Sequence, residues 1–398
     1  MFLLTWESLN NLFGTARNPW DPSRTPGGSS GGEGTLVASK CSPGGIGTDI
    51  GSSIRAPASW CGLVGMKYTS TRVSTDGAFV PTPSGKSGAM VKASVGPMVR
   101  SVDDAIAITK ALIHKSSMEA DGSIDFRPLN LERLSDFSDK LKIGYVRTIP
   151  GIFDACPSAK RGVDEAVRVI RSLGHEAVEF NYDFEWGYRC FIDTLTCGEK
   201  VRDMLNLLNG EEYIDAYKTM VLALRLPRWA LNMVGPIIYG DPVRFNKYMG
   251  GANSTSTEEL FENWHKQEQE NQTLLKYWKA QGIDLLIMPT TPVPAIKCNT
   301  GNDTSPFCIS YASLWNSYDF PAGSIPVTTV REGEEFIESD VKDKIFYANL
   351  KGMKDTVGLP IGLQVIGRPN DDELVLNFMK RIESLLEKMD YPQIDADV

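Results

Sequence analysis

The order of periodic segments in this 398-residue chain predicts an α/β fold. Three observations carry that expectation. Ile143-Gly144-Tyr145-Val146 and Ala177-Val178-Glu179-Phe180 read as short strands around a segment with Val163, Ala166, Val167, Ile170 and Leu173 at helical spacing. That is a βαβ unit, which favours a parallel pair. Apolar runs of strand length recur at 285–288, 325–330 and 361–366, and a helix over 372–388 closes the pattern.

Local chemistry sets the element ends. Ser101-Val102-Asp103-Asp104 has the form of a capping box, and Val102, Ala105, Ile106, Thr109, Leu112 and Ile113 follow with the period of a helix. Ser158 is expected to cap the next helix and Gly174 to stop it. Hydrophobic residues make up 42% of the chain and charged residues 23%, enough apolar material for a sizeable core. No linker or internal repeat interrupts it, so one domain over 1–398 is expected.

Composition also removes whole classes of function. A net charge of −9 argues against a polyphosphate partner, so no nucleic acid is expected. No run of 18 apolar residues spans a bilayer, and no cleavable signal opens the chain. The seven cysteines, at 41, 61, 156, 190, 197, 298 and 308, form no C-x-x-C pair, and the glycine loops match neither a Walker nor a dinucleotide fingerprint. No cofactor or metal is expected. An odd cysteine count without disulfide spacing points to an intracellular setting, cytoplasmic or peripheral on an internal membrane.

The chemistry concentrates in two segments, Gly27-Gly28-Ser29-Ser30-Gly31-Gly32-Glu33-Gly34 and Gly47-Thr48-Asp49-Ile50-Gly51-Ser52-Ser53-Ile54-Arg55. Gly-Ser clusters alone are commonly flexible linkers. A linker has no reason to place Asp49 and Arg55 around a serine, or to run straight into Trp60-Cys61-Gly62-Leu63-Val64-Gly65-Met66. Glycines let backbone approach a substrate closely, and successive N–H groups in such turns converge on an anionic centre. Gly28-Ser29-Ser30-Gly31-Gly32 also satisfies G-x-S-x-G, which would make Ser30 the nucleophile of an elbow. The prolines at 19, 22 and 26 argue against the strand that an elbow needs, and His114, His175 and His265 read as surface or capping residues.

Residues 27–66, with Val95-Gly96-Pro97-Met98-Val99-Arg100-Ser101-Val102-Asp103-Asp104, resemble the amidase signature family, whose core here would be 27–104. Asp319-Phe320-Pro321-Ala322-Gly323, Ile325-Pro326-Val327-Thr328-Thr329-Val330 and Val357-Gly358-Leu359-Pro360 extend the likeness to the C-terminal end. Gly31-Gly32-Glu33-Gly34 is closer to the fatty acid amide hydrolase branch than to the amidotransferases. The resemblance implies a central twisted mixed β-sheet with helices on both faces. It further implies a Ser-Ser-Lys hydrolase of acyl amides, with Ser53 as nucleophile, Ser29 bridging it to a neutral lysine, and a cis peptide at Gly28-Ser29. Backbone N–H groups of Ile50, Gly51, Ser52 and Ser53 would form the oxyanion hole, and Ser30, Thr48, Asp49 and Arg55 would support the loops.

Two departures from the family stand out. No lysine precedes Ser29, and the first is Lys40, which matches no family base. Arginine cannot replace it, because a guanidinium has no lone pair to accept a proton. The chain is therefore expected to be incomplete at its N-terminus relative to the family. The second departure is Ser52, where the family has glycine; if that residue needs positive φ, serine is strained there. Finally, 220–239 is apolar but broken by Arg225, Pro227 and Arg228, and the resemblance implies a peripheral membrane contact there. The partner implied is a small acyl amide; a homodimer is allowed. The alternatives are a non-catalytic lipid-amide-binding form and an ammonia donor within an amidotransferase.

Overall fold

The computed structural model describes residues 6–75, 91, 93–114, 127–135, 140–196, 210, 212, 214, 226–249 and 256–392. Ten strands lie among them: β1 (Leu9–Asn10), β2 (Gly14–Thr15), β3 (Gly44–Asp49), β4 (Val64–Lys67), β5 (Ser94–Val99), β6 (Lys142–Tyr145), β7 (Glu176–Glu179), β8 (Leu285–Pro289), β9 (Ala322–Thr329) and β10 (Pro360–Ile366). The helices are α1 (Gly31–Ala38), α2 (Arg55–Cys61), α3 (Val102–Leu112), α4 (Leu131–Ser135), α5 (Pro157–Ser172), α6 (Glu185–Thr196) and α7 (Arg228–Tyr239). After them come α8 (Pro242–Met249), α9 (Thr257–Gln281), α10 (Gly301–Thr304), α11 (Ser310–Ser317), α12 (Lys344–Gly352) and α13 (Asp372–Glu383).

Eight strands form one mixed sheet in the order β3-β5-β4-β9-β10-β8-β6-β7. β6 pairs parallel with β7 through the expected βαβ crossover, and with β8, while the pairings from β3 to β8 are antiparallel. The late strands β9 and β10 stand between the signature strands and the βαβ unit, so residues far apart in sequence share one sheet. Every residue of β8 and β10 is buried, which explains why β8 reads as an unbroken apolar run and β10 as one interrupted only by Gln364.

Both faces of the sheet are covered. Successive strand residues point to opposite sides. A Cβ on Gly65 would meet Ala58 of α2 and Ile54 just before it, whereas Gly323 faces Met379 of α13 and the neighbouring Met66. Gly162 of α5 faces Ile361, while the adjacent Gly362 faces Ser59 of α2; Ile361 shares the face of Val365, which pairs with Gly323, so α5 and α13 lie opposite α2. α5 presents Val163, Ala166, Val167 and Ile170 to this core, as their spacing predicts.

Three local expectations need correction. Cys156, not Ser158, caps α5, because Pro157 at the first helical position presets φ and needs no N–H acceptor; Ser158 is buried one residue inside. His175 is buried rather than at the surface, and its Nδ1 accepts from the Leu141 N–H at 3.2 Å. The last helix stops at Glu383, short of 388. Beyond it the chain turns so that Tyr391 Oη donates to Gly62 O at 2.6 Å and its ring packs 6.1 Å from that of Trp20.

Candidate active site

The two serine segments meet where β3 ends and α2 begins. Gly28-Ser29 is a cis peptide, as expected, and leads through Ser30 into α1. The Ser30 N–H donates to Ser53 O at 3.1 Å, which joins the segments directly. Ser30 Oγ accepts from Thr48 N–H at 3.3 Å and lies 3.4 Å from Thr48 O, so those two side-by-side residues close the seam. Gly27 has φ +96, and a Cβ there would sit 2.9 Å from the Pro57 backbone; no other residue allows this approach.

Asp49 and Arg55 organise the loop between them. Both side chains are fully buried, and Arg55 Nε and Nη2 donate to the carboxylate at 3.0 and 3.1 Å. Asp49 also accepts from the N–H groups of Ser52 (2.8 Å), Ile54 (3.1 Å) and Arg55 (3.3 Å), and from Asn316 Nδ2 (2.9 Å). Burial alone would raise the carboxyl pKa; the Arg55 charge and these donors overcome it and hold the group well below the usual carboxylate range. Arg55 is completed by Asn316 Oδ1 at 2.6 Å and Gln364 Oε1 at 3.1 Å. A fully paired buried ion pair of this kind fixes one backbone conformation.

One expected oxyanion donor is thereby lost. The Ser52 N–H is committed to Asp49, so among the described residues the amides of 50–53 left without an acceptor are those of Ile50, Gly51 and Ser53. Ser52 has φ +105, the left-handed region anticipated for it, and its Oγ accepts from Trp6 Nε1 at 2.7 Å. Ser53 beside it is 6% exposed. Ser29 is half-buried.

Several supports carry no local sequence signal. Ser8 Oγ lies 3.0 Å from the carbonyls of Gly27 and Ser29 and accepts from Gly31 N–H at 3.0 Å. Phe191 of α6 closes on Gly51, where an added Cβ would come within 2.9 Å of its Cζ. Asn316 and Gln364 lie 261 and 309 residues from Arg55; only their nearness to the C-terminal family-like segments hinted at a role. Lys67 is the fully buried lysine of the region; burial pushes its pKa down, yet Nζ donates to Phe320 O at 2.9 Å and Tyr68 O at 3.2 Å and so braces strands. Lys40 is exposed. Neither is placed as a base for Ser29.

Of the segment expected to touch a membrane, 220–225 lies outside the described residues. α7 carries Trp229, Met233 and Ile237 at 70%, 63% and 71% exposure, one apolar stripe at four-residue spacing. No described helix is long and apolar enough to cross a membrane.

A family model described as Amidase matches residues 1–376. Fatty-acid amide hydrolase 1 of Sus scrofa is 32% identical over 396 residues, covering 96% of this chain and 66% of the relative. Fatty acid amide hydrolase 1 of Caenorhabditis elegans is 29% identical over 386 residues, covering 96% and 66%. Among solved structures, a fatty acid amide hydrolase superposes with a TM-score of 0.75 at 24% identity over 97% of this chain and 64% of that one. A 6-aminohexanoate cyclic dimer hydrolase gives 0.69 at 21% identity over 98% and 74%. The chain thus shares the fold of both and spans about two thirds of the length of the fatty acid amide hydrolases it matches.

Proposed function

The chain belongs to the amidase family, and from that premise we propose that it is a serine hydrolase of carbon–nitrogen bonds in acyl amides. In this reading Ser53 Oγ attacks the amide carbonyl while its proton passes to Ser29 Oγ, whose own proton moves on to a base. The carbonyl oxygen gains the negative charge, and the amides of Ile50, Gly51 and Ser53 receive it. Ser29 then protonates the departing nitrogen, the amine leaves neutral, and water releases the acid from acyl-Ser53. Each well-placed oxyanion donor contributes about 3–4 kcal/mol to lowering the barrier.

The observation that carries the reading is a serine flanked by three amides without acceptors, in a loop pinned by the Asp49–Arg55 pair. Fatty acid amides are the favoured substrates. The relatives that bear that name support this, and so does the apolar stripe of α7, a suitable surface for peripheral contact with the lipid that holds such substrates.

Because no described lysine is placed at the end of the proton relay, the test reads acylation rather than turnover. A fluorophosphonate should label the chain once, at Ser53, and Ser53→Ala should abolish the label. Labelling at another residue, or no labelling of the parent protein, rejects the assignment.

A further inference from the structure

α11 carries three serines, and two have satisfied hydroxyl groups. Ser310 Oγ donates to Phe307 O at 2.6 Å, and Ser317 Oγ accepts from Gln267 Nε2 at 3.2 Å. Ser313 is fully buried and its Oγ meets no hydrogen-bond partner. A buried hydroxyl left unpaired is unfavourable, and native proteins seldom keep one without a use for it. Helical serines commonly satisfy themselves on the preceding turn, as Ser310 does; Ser313 does not.

Its direction is given by Asn316, three residues on and therefore on the same helix face. Asn316 Nδ2 reaches Asp49 O at 3.1 Å and Asp49 Oδ1 at 2.9 Å, so this face looks onto the serine loop. One turn away, Ser313 packs beside Gly51. A Cβ placed on that glycine would lie 3.9 Å from Ser313 Cβ and 2.9 Å from Phe191 Cζ. The loop is thus bordered by an aromatic edge and an unpaired hydroxyl.

We propose that Ser313 is a specificity-determining residue, whose hydroxyl takes a hydrogen bond from, or gives one to, a polar group carried by the substrate beside its scissile carbonyl. The inference rests on the amidase reading and narrows its substrate class to amides with a hydroxyl or amide close to the reacting carbon. A site with a waiting polar group discriminates strongly against a ligand that cannot pair with it, since the group then stays desolvated and unpaired. A plain hydrocarbon acyl amide would bind here without that partner.

The experiment measures dissociation constants by calorimetry on the full chain with two matched pairs of long-chain amides. One pair differs by a hydroxyl on the acyl carbon next to the carbonyl, the other by a hydroxyl on the amine portion. In one pair the hydroxylated member should bind at least tenfold more tightly, and the responding pair identifies the side that Ser313 faces. Ser313→Ala should erase that preference and leave the thermal midpoint unchanged or higher; Ser313→Thr should retain it. The proposal is overturned if the parent protein separates neither pair, if the preference survives Ser313→Ala, or if that variant loses stability and weakens all four amides alike. Fluorophosphonate labelling of the same parent preparation keeps the two claims apart. Label at Ser53 without selectivity rejects only the role of Ser313, whereas no label rejects the amidase reading itself.

Discussion

Trp6 donates its indole N–H to Ser52 Oγ across 2.7 Å, with both side chains buried. The bond answers the question raised by a serine at φ +105. A non-glycine residue in that region is strained by on the order of 1 kcal/mol or more, while an orphaned buried N–H costs about 1–3 kcal/mol. Ser52→Ala keeps the strain and removes the acceptor. Ser52→Gly removes both, so its loss is partly offset. In urea denaturation Ser52→Ala should be the less stable of the two, by about 1 kcal/mol; both variants lose the indole bond, so the reverse order would mean that the positive φ at position 52 carries no net strain.

Gly51 should be the position at which the smallest addition does the most catalytic damage. A methyl group there must displace the Phe191 ring edge or shift the loop that holds the Ile50, Gly51 and Ser53 amides. Gly51→Ala is expected to slow fluorophosphonate acylation by about 100-fold, the effect of losing one oxyanion donor. Phe191→Leu in the same chain should restore part of the rate, because it vacates the space the methyl group needs. Additive losses in the double-mutant cycle would show that the two positions do not share that space.

Two buried aspartates respond to pH in opposite senses. The Asp49 carboxyl is held low, so its contribution is complete above its unfolded pKa near 3.9 and is lost only as pH falls through the lower folded value. Asp372 is fully buried and pushed up to about 6, first by desolvation, although it accepts from Thr69 N–H and Oγ1 at 2.8 and 3.1 Å. Its raised value favours the folded state below the unfolded pKa, and that contribution is lost as pH rises from about 4 to 6. Asp372→Asn should flatten this part of the stability profile. Asp49→Asn should instead destabilise the protein at neutral pH by about 3–5 kcal/mol, since it leaves the Arg55 charge buried without its partner. Urea midpoints measured from pH 4 to 7 check both.

The α7 stripe predicts peripheral binding to lipid. Trp229→Ser and Ile237→Ser should each weaken sedimentation with phosphatidylcholine vesicles about tenfold, or ~1.4 kcal/mol, on loss of one large apolar side chain from the contact. Both side chains are mostly exposed, so the thermal midpoint should not fall. Unchanged sedimentation of the double variant would remove the membrane from the functional picture.

Local pattern was enough to read the βαβ unit and the late strands β8, β9 and β10, because these depend on apolar period within a few residues, whereas the link between the 29 and 53 segments was implied by the family resemblance. What the sequence determined, then, is which residues could carry the chemistry and what class of fold would hold them. It could not reveal that Asn316 and Gln364 complete Arg55, that Trp6 holds Ser52, or that Asp49 withdraws the Ser52 amide from the expected set of four. Those outcomes were decided by the tertiary structure. Each buried donor and acceptor must be paired somewhere, and the sheet that brings strands from both ends of the chain side by side determines which partner is within reach.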